Sequence, residues 1–99
     1  MYKLILYICG KTARSERAIR NLRNIVNNDL GEDYELNVID VLEYPEKAEE
    51  EKILATPTLV KKLPPPIRRI IGDLSNKDKV FFGLNIEEKF ESKKGENRE

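Results

Sequence analysis

Histidine and tryptophan are absent from this chain of 99 residues, and cysteine and methionine occur once each. Without histidine the chain lacks the commonest general base at neutral pH and the commonest metal ligand. A single cysteine, Cys9, excludes an intramolecular disulfide and any multi-cysteine zinc site. No apolar run approaches the length of a membrane span, and no signal peptide precedes the first expected strand. A cytoplasmic location is therefore the expectation. No Gly-rich phosphate loop, triad or carboxylate pair stands out, and Glu49, Glu50 and Glu51 read as a solvated helix face. Neither a catalytic site nor a metal or cofactor site is expected.

What remains is 39% hydrophobic and 36% charged, with 18 basic residues balancing 18 acidic ones. A chain this short buries roughly 60–65% of the surface its unfolded form exposes, so the core must be thin. Residues 1–86 are expected to form one α/β domain. Residues 87–99 are charged and nearly free of apolar side chains apart from Phe90, which reads as a disordered tail.

The balanced charge is unevenly distributed. Between Lys11 and Val26, five basic residues (Lys11, Arg14, Arg17, Arg20 and Arg23) face one acid, Glu16. Ten acids and only Lys47 lie between Asp29 and Glu51, and from Lys52 to Arg69 there are five basic residues and no acid. Such segregation favours oriented docking on a charged partner, while ordinary solvated helix faces are the competing reading.

Lys3 to Ile8 reads as a buried strand and Ser15 to Leu30 as a helix. Ala18, Ile19, Leu22, Ile25 and Val26 share one face of that helix, with Arg14, Arg17, Arg20 and Arg23 over the opposite half. Thr12 or Ser15 can cap its start, and Gly31 suits its end. Tyr34 to Leu42 is a second strand, giving a right-handed βαβ unit with parallel strands. A short acidic helix is expected over Pro45 to Leu54, then strands at Thr58 to Leu63 and Arg68 to Ile71. Pro64, Pro65 and Pro66 read as a stiff polyproline connector between these strands, lying in a turn or at a sheet edge because proline cannot donate to a ladder. Beyond Gly72 the preferences conflict. Ser75 with Asp78 resembles a capping box leading into helix, yet Lys79-Val80-Phe81-Phe82 is strongly β-prone and Gly83 weakens a helix interior.

This order, with Ala55-Thr56-Pro57-Thr58 opening the third strand, resembles the thioredoxin plan, which implies a cis Thr56–Pro57 bond. The redox chemistry of that plan needs a thiolate at the first helix's N-terminus. Here Thr12-Ala13-Arg14-Ser15 carries no sulfur, and Cys9 falls several residues too early. Cys9-Gly10-Lys11-Thr12 shares only two residues with the Cys-Gly-Phe-Ser of monothiol glutaredoxins. A redox protein using Cys9 is the alternative function.

A more specific resemblance covers about Lys3 to Leu84. Leu6 to Gly10, Val38 to Leu42, Ala48 to Leu59 and Leu63 to Asn76 together strongly resemble the KaiB family of bacterial circadian-clock proteins. The pairing of Ala55-Thr56-Pro57-Thr58-Leu59 with Pro64-Pro65-Pro66-Ile67-Arg68-Arg69-Ile70-Ile71-Gly72-Asp73-Leu74-Ser75 carries most of its weight. The resemblance implies a non-enzymatic regulator that docks on the N-terminal ATPase ring of a KaiC-type ATPase and autokinase. Further implied partners are KaiA and a histidine kinase, with self-association as a dimer or tetramer. Nucleic acid and membrane are not among the expected partners. It also implies two folds, a thioredoxin-like monomer that binds the ring and a ground state rebuilt after about the second strand. Carried over by motif position, Arg17, Arg20 and Lys52 would contact the ring, while Pro57, Pro64, Pro65, Pro66, Gly83 and Asn85 fall in the segment that changes fold. The chain departs from the family in reading Lys11-Thr12-Ala13-Arg14-Ser15 for Asn-Thr-Pro-Asn-Ser, and Gly83-Leu84-Asn85 for Gly-Leu-Asp. A thioredoxin-like sensor fragment of a histidine kinase is a third reading, disfavoured because the tail ends without a kinase domain.

Overall fold

Tyr2–Ile8 forms strand β1, beginning one residue earlier than its apolar run suggests. The computed structural model describes residues 1–31 and 33–86, so the tail expected over 87–99 lies outside the described residues. Helix α1 spans Ala13–Ile25, and the side-chain oxygen of Thr12 caps it by accepting the Ser15 N–H at 3.1 Å. That choice leaves the Ser15 side chain to be buried inside the first turn.

After Ile25 the helix does not continue as expected but widens into a π-type segment, Val26–Leu30. The wider winding keeps both Val26 and Leu30 buried, and Gly31 ends the segment at a φ of 66° that suits glycine. Strand β2 then covers Tyr34–Asp40 and pairs in parallel with β1, Leu6 opposite Val38. It stops two residues short of the expected Leu42, because the Asp40 carboxylate accepts the N–H groups of both Gly10 and Leu42 at 3.0 Å. This turns the chain and ties the exit of β1 to the exit of β2. Gly10 sits at a φ of 70°, and a Cβ there would stand 3.3 Å from Leu42 Cδ1.

Helix α2 is shorter than expected, Pro45–Glu50 instead of running to Leu54. None of its residues is buried, and Lys52 follows in a left-handed conformation at a φ of 56°. Strands β3 (Thr58–Leu63) and β4 (Arg68–Ile71) form an antiparallel hairpin, and β3 also runs antiparallel to β1. The sheet order is β2-β1-β3-β4. Thr56–Pro57 is cis, as the thioredoxin plan implies. The three prolines lie in the turn that joins β3 to β4, as expected, but not as a polyproline II rod: Leu63–Pro64 and Pro65–Pro66 are also cis.

The conflicting segment resolves as helix α3, Lys77–Leu84, capped by Asn76, whose side chain accepts the Lys79 N–H. The expected cap, Ser75, instead gives its N–H to Asp73 Oδ1. Tertiary burial decides for helix, because Val80, Phe81 and Leu84 enter the core together with Leu4, Leu6, Leu22, Leu30 and Leu59. Each fully buried leucine contributes about 1.5–3 kcal/mol. Asn85 ends α3 in the left-handed region at a φ of 57°. α1 and α3 thus cover one face of the sheet. Tyr7, Thr58, Val60, Lys62 and Arg69 alternate onto the other, beside α2.

Candidate docking surface

The α2 face is held by charge as well as by burial. Glu51, just past α2, meets Lys62 Nζ at 2.6 Å and Arg69 Nη2 at 3.5 Å. Arg69 also donates to the backbone carbonyls of Glu51 and Lys52, which are orphan acceptors past a helix end. Tyr7 lies beneath this group, and burial followed by the Glu51 charge pushes its phenol pKa upward. These contacts fix the turn in which Lys52 reverses the chain.

Beyond that turn the surface is unusually apolar for so charged a protein. Leu54 is 95% exposed. Together with Ile53, Ala48 and Pro45 it lines a shallow depression of about 680 Å³, with Lys52 and Glu49 at its edge. Leu42 and Tyr44, in the turn leading into α2, are exposed as well. An exposed apolar patch rimmed by charge is the usual mark of an interaction surface. Among the described residues no carboxylate pairs with the Lys52 ammonium.

The residues singled out from sequence do not all converge. Arg17 and Arg20 lie on the solvent side of α1, across the sheet from α2. Arg17 pairs with Asp73 at 3.4 Å, whereas Arg20 has no carboxylate partner among the described residues. Asp73 also takes hydrogen bonds from Ser75, which, ahead of the smaller contribution of Arg17, hold its carboxyl below the usual range. Pro57 is buried at the start of β3, Pro64 to Pro66 are exposed, and Gly83 packs on Ile70. Glu51 is corrected: read as part of a solvated helix face, it lies past α2, largely covered and paired with Lys62 and Arg69. Arg69 and Asp40 were given no role in the sequence because their partners lie far along the chain.

Cys9 is half-buried just after β1, separated from α1 by Gly10, Lys11 and Thr12. It therefore lies outside the first turn of α1, where the thiolate of the thioredoxin plan stands. Among the described residues, no group of three or more His, Cys, Asp or Glu side chains is arranged to hold a metal. Among the same residues, no helix is long and apolar enough to cross a membrane.

A four-stranded sheet with a cis proline at the head of β3 and no sulfur at the start of α1 defines a thioredoxin-like protein without the dithiol. Solved structures agree on the fold. The N-terminal domain of Synechococcus elongatus SasA superposes with a TM-score of 0.66 at 23% identity, covering 82% of each chain. Mitochondrial thioredoxin 3 of Saccharomyces cerevisiae gives 0.68 at 21% identity, covering 85% of this chain and 76% of its own.

Sequence comparison is more specific. Residues 5–86 match the KaiB domain family, and the chain belongs to it. It is 58% identical over 83 residues to the circadian clock protein KaiB3 of Synechocystis sp., covering 84% of this chain and 81% of that one. It is also 58% identical over 85 residues to the circadian clock oscillator protein KaiB of Thermostichus vulcanus, covering 86% and 79% respectively.

Proposed function

We propose that this KaiB-family chain is a non-catalytic clock-type regulator that docks on the N-terminal ATPase ring of a KaiC-type ATPase. The observation that carries this reading is the bare Leu54 side chain, flanked by half-buried Ile53 and Ala48, beside the Lys52 ammonium. Apolar area supplies affinity, and a nearby cation with no acidic partner among the described residues supplies orientation against an acidic rim. Arg17 and Arg20, on α1 across the sheet, would make a separate basic contact with the same partner. KaiA and a histidine kinase are further candidate partners of the docked form.

The same reading includes a second, self-associating state, a dimer or tetramer, in which the chain after β2 is repacked. Phe82 supports it. This residue sits in the middle of α3 and is 91% exposed, so the helix leaves a large aromatic group without apolar cover. A segment of mixed local preference is suited to two packings that differ by a few kcal/mol.

The test is titration of the isotopically labelled chain with a purified KaiC-type hexamer, for the native sequence and for Lys52→Glu and Leu54→Glu. Native chain should lose signal intensity on binding, and each variant should bind at least about tenfold more weakly with an unchanged far-UV spectrum. Undiminished binding by both variants would remove this surface from the interface. Two resonance sets whose ratio shifts with concentration would establish the second state.

A further inference from the structure

Arg17 also belongs to a feature away from α2. An open groove of about 650 Å³ runs between the first turns of α1 and the loop joining β4 to α3. Arg14 and Arg17 line it from α1, Lys79 lines it from α3, and Asp73 is its single carboxylate. That carboxylate is already engaged, by the Ser75 N–H at 3.1 Å and by Arg17 at 3.4 Å. Arg14 and Lys79 are both exposed, and neither meets a carboxylate among the described residues. Three cations against one acid leave the groove with a clear positive excess. Its remaining lining is partly aliphatic, chiefly from exposed Ile71 and half-buried Ile70.

We propose that this groove receives an acidic segment of a protein partner, with carboxylates on Arg14 and Lys79 and the intervening chain on the aliphatic lining. Charge complementarity selects the occupant's sign, and the groove's form selects its class. A free phosphate would gain nothing from the aliphatic shelf and would face the Asp73 carboxylate. An extended peptide can place its acids at the two ends and bridge Asp73 with neutral backbone. Exposed ion pairs are weak and screened, so such binding is modest and salt-sensitive.

The proposal is tested on the full chain, without the ring, so that it and ring docking can fail separately. Acetylated hexaglutamate is titrated into the ¹⁵N-labelled protein, with hexaglutamine and inorganic phosphate as the other probes. Hexaglutamate should shift the amides of Arg14, Arg17 and Gly72–Lys79, and hexaglutamine should not. Raising salt from about 50 to about 200 mM should weaken the binding several-fold. The double substitution Arg14→Gln with Lys79→Gln should weaken it by about five- to tenfold, whereas Lys52→Gln should leave it unchanged. Arg14→Gln alone, at an exposed helix position, gives the same direction if the double variant folds poorly, and Arg14→Lys should restore binding. Four results would each overturn the proposal: no shifts, equal shifts with phosphate, full binding by the double variant, or shifts that protein concentration alone produces.

Discussion

Arg69, on β4, donates from Nη2 to the backbone carbonyl of Glu51 at 2.9 Å, so that a strand at the sheet's edge holds the end of α2. Its Nη1 reaches the next carbonyl, Lys52, at 3.2 Å. α2 buries none of its own residues, and this planar fork does for it what an apolar face does for α1.

Arg69→Ala should therefore loosen α2 more than it destabilises the domain. A loss of about 1 kcal/mol in urea unfolding is expected, since the side chain is half-exposed and its bonds compete with water. Amide exchange should rise chiefly at Lys52 and Ile53. Arg69→Lys, which keeps charge but not the fork, should recover less than half of the loss. Uniform exchange changes across the sheet would contradict this role.

Lys61 has no exposed surface, and its ammonium donates to the Pro64 carbonyl at 2.7 Å. Burial, and then the charge of Arg68, lowers its pKa from the ordinary lysine value. The folded state thus binds this proton less readily than the unfolded chain does. The penalty is fully present below the folded pKa, and stability should rise as pH climbs from there towards about 10.4, the unfolded value. Lys61→Met should raise the urea midpoint at pH 7 and remove the alkaline gain. A lower midpoint at pH 7 would mean that the bond to Pro64 outweighs the burial of charge.

Asp40 behaves in the opposite sense. The N–H of Gly10 first, and then that of Leu42, hold its carboxyl below the usual range. Its contribution is present above the unfolded value of about 3.9 and is lost as pH falls through the lower folded pKa. Thermal melts from pH 7 down to pH 2 should show that acid-sensitive limb flattened in Asp40→Asn. Asp40→Ala should melt lower than Asp40→Asn at pH 7, because it leaves both N–H groups without their acceptor.

Gly83 lies inside α3, and a Cβ there would stand 3.1 Å from Ile70 Cδ1. Helix preference favours alanine over glycine by about 0.5–1 kcal/mol. The close neighbour is the terminal methyl of a half-buried side chain, which can give way by a few tenths of an ångström. Gly83→Ala should accordingly stabilise this arrangement by a few tenths of a kcal/mol or more, measured by the urea midpoint. A clear loss would show that Ile70 is held too tightly to move.

Much of the fold was legible because it is written locally. The 3.6-residue spacing of Ala18, Leu22, Ile25 and Val26 marked α1, the Thr-Pro-Thr segment marked the head of β3, and the family resemblance supplied the order of the rest. Two element ends were placed too late in the chain. Leu42, Ile53 and Leu54 were assigned to regular elements, but they lie beyond them, released by Asp40 at one point and by the left-handed Lys52 at the other, with Leu42 and Leu54 exposed and Ile53 half-buried. Ile53 and Leu54 line the docking patch. α3 could not be decided from propensity, since Val80 and Phe81 suit a strand locally and become helical through the core they enter. The groove beside Arg14 was likewise unreadable, as its walls lie more than fifty positions apart in the chain.

The π-type winding of Val26–Leu30 places one extra residue in the path from α1 to β2. Removing Asn27 or Asn28 should let the segment wind as ordinary α-helix with Leu30 still on the face of Ile25 and Val26, because the wider winding is what absorbs the extra residue. The winding thus buffers the residue count, and a single deletion should be tolerated better here than within Ala13–Ile25.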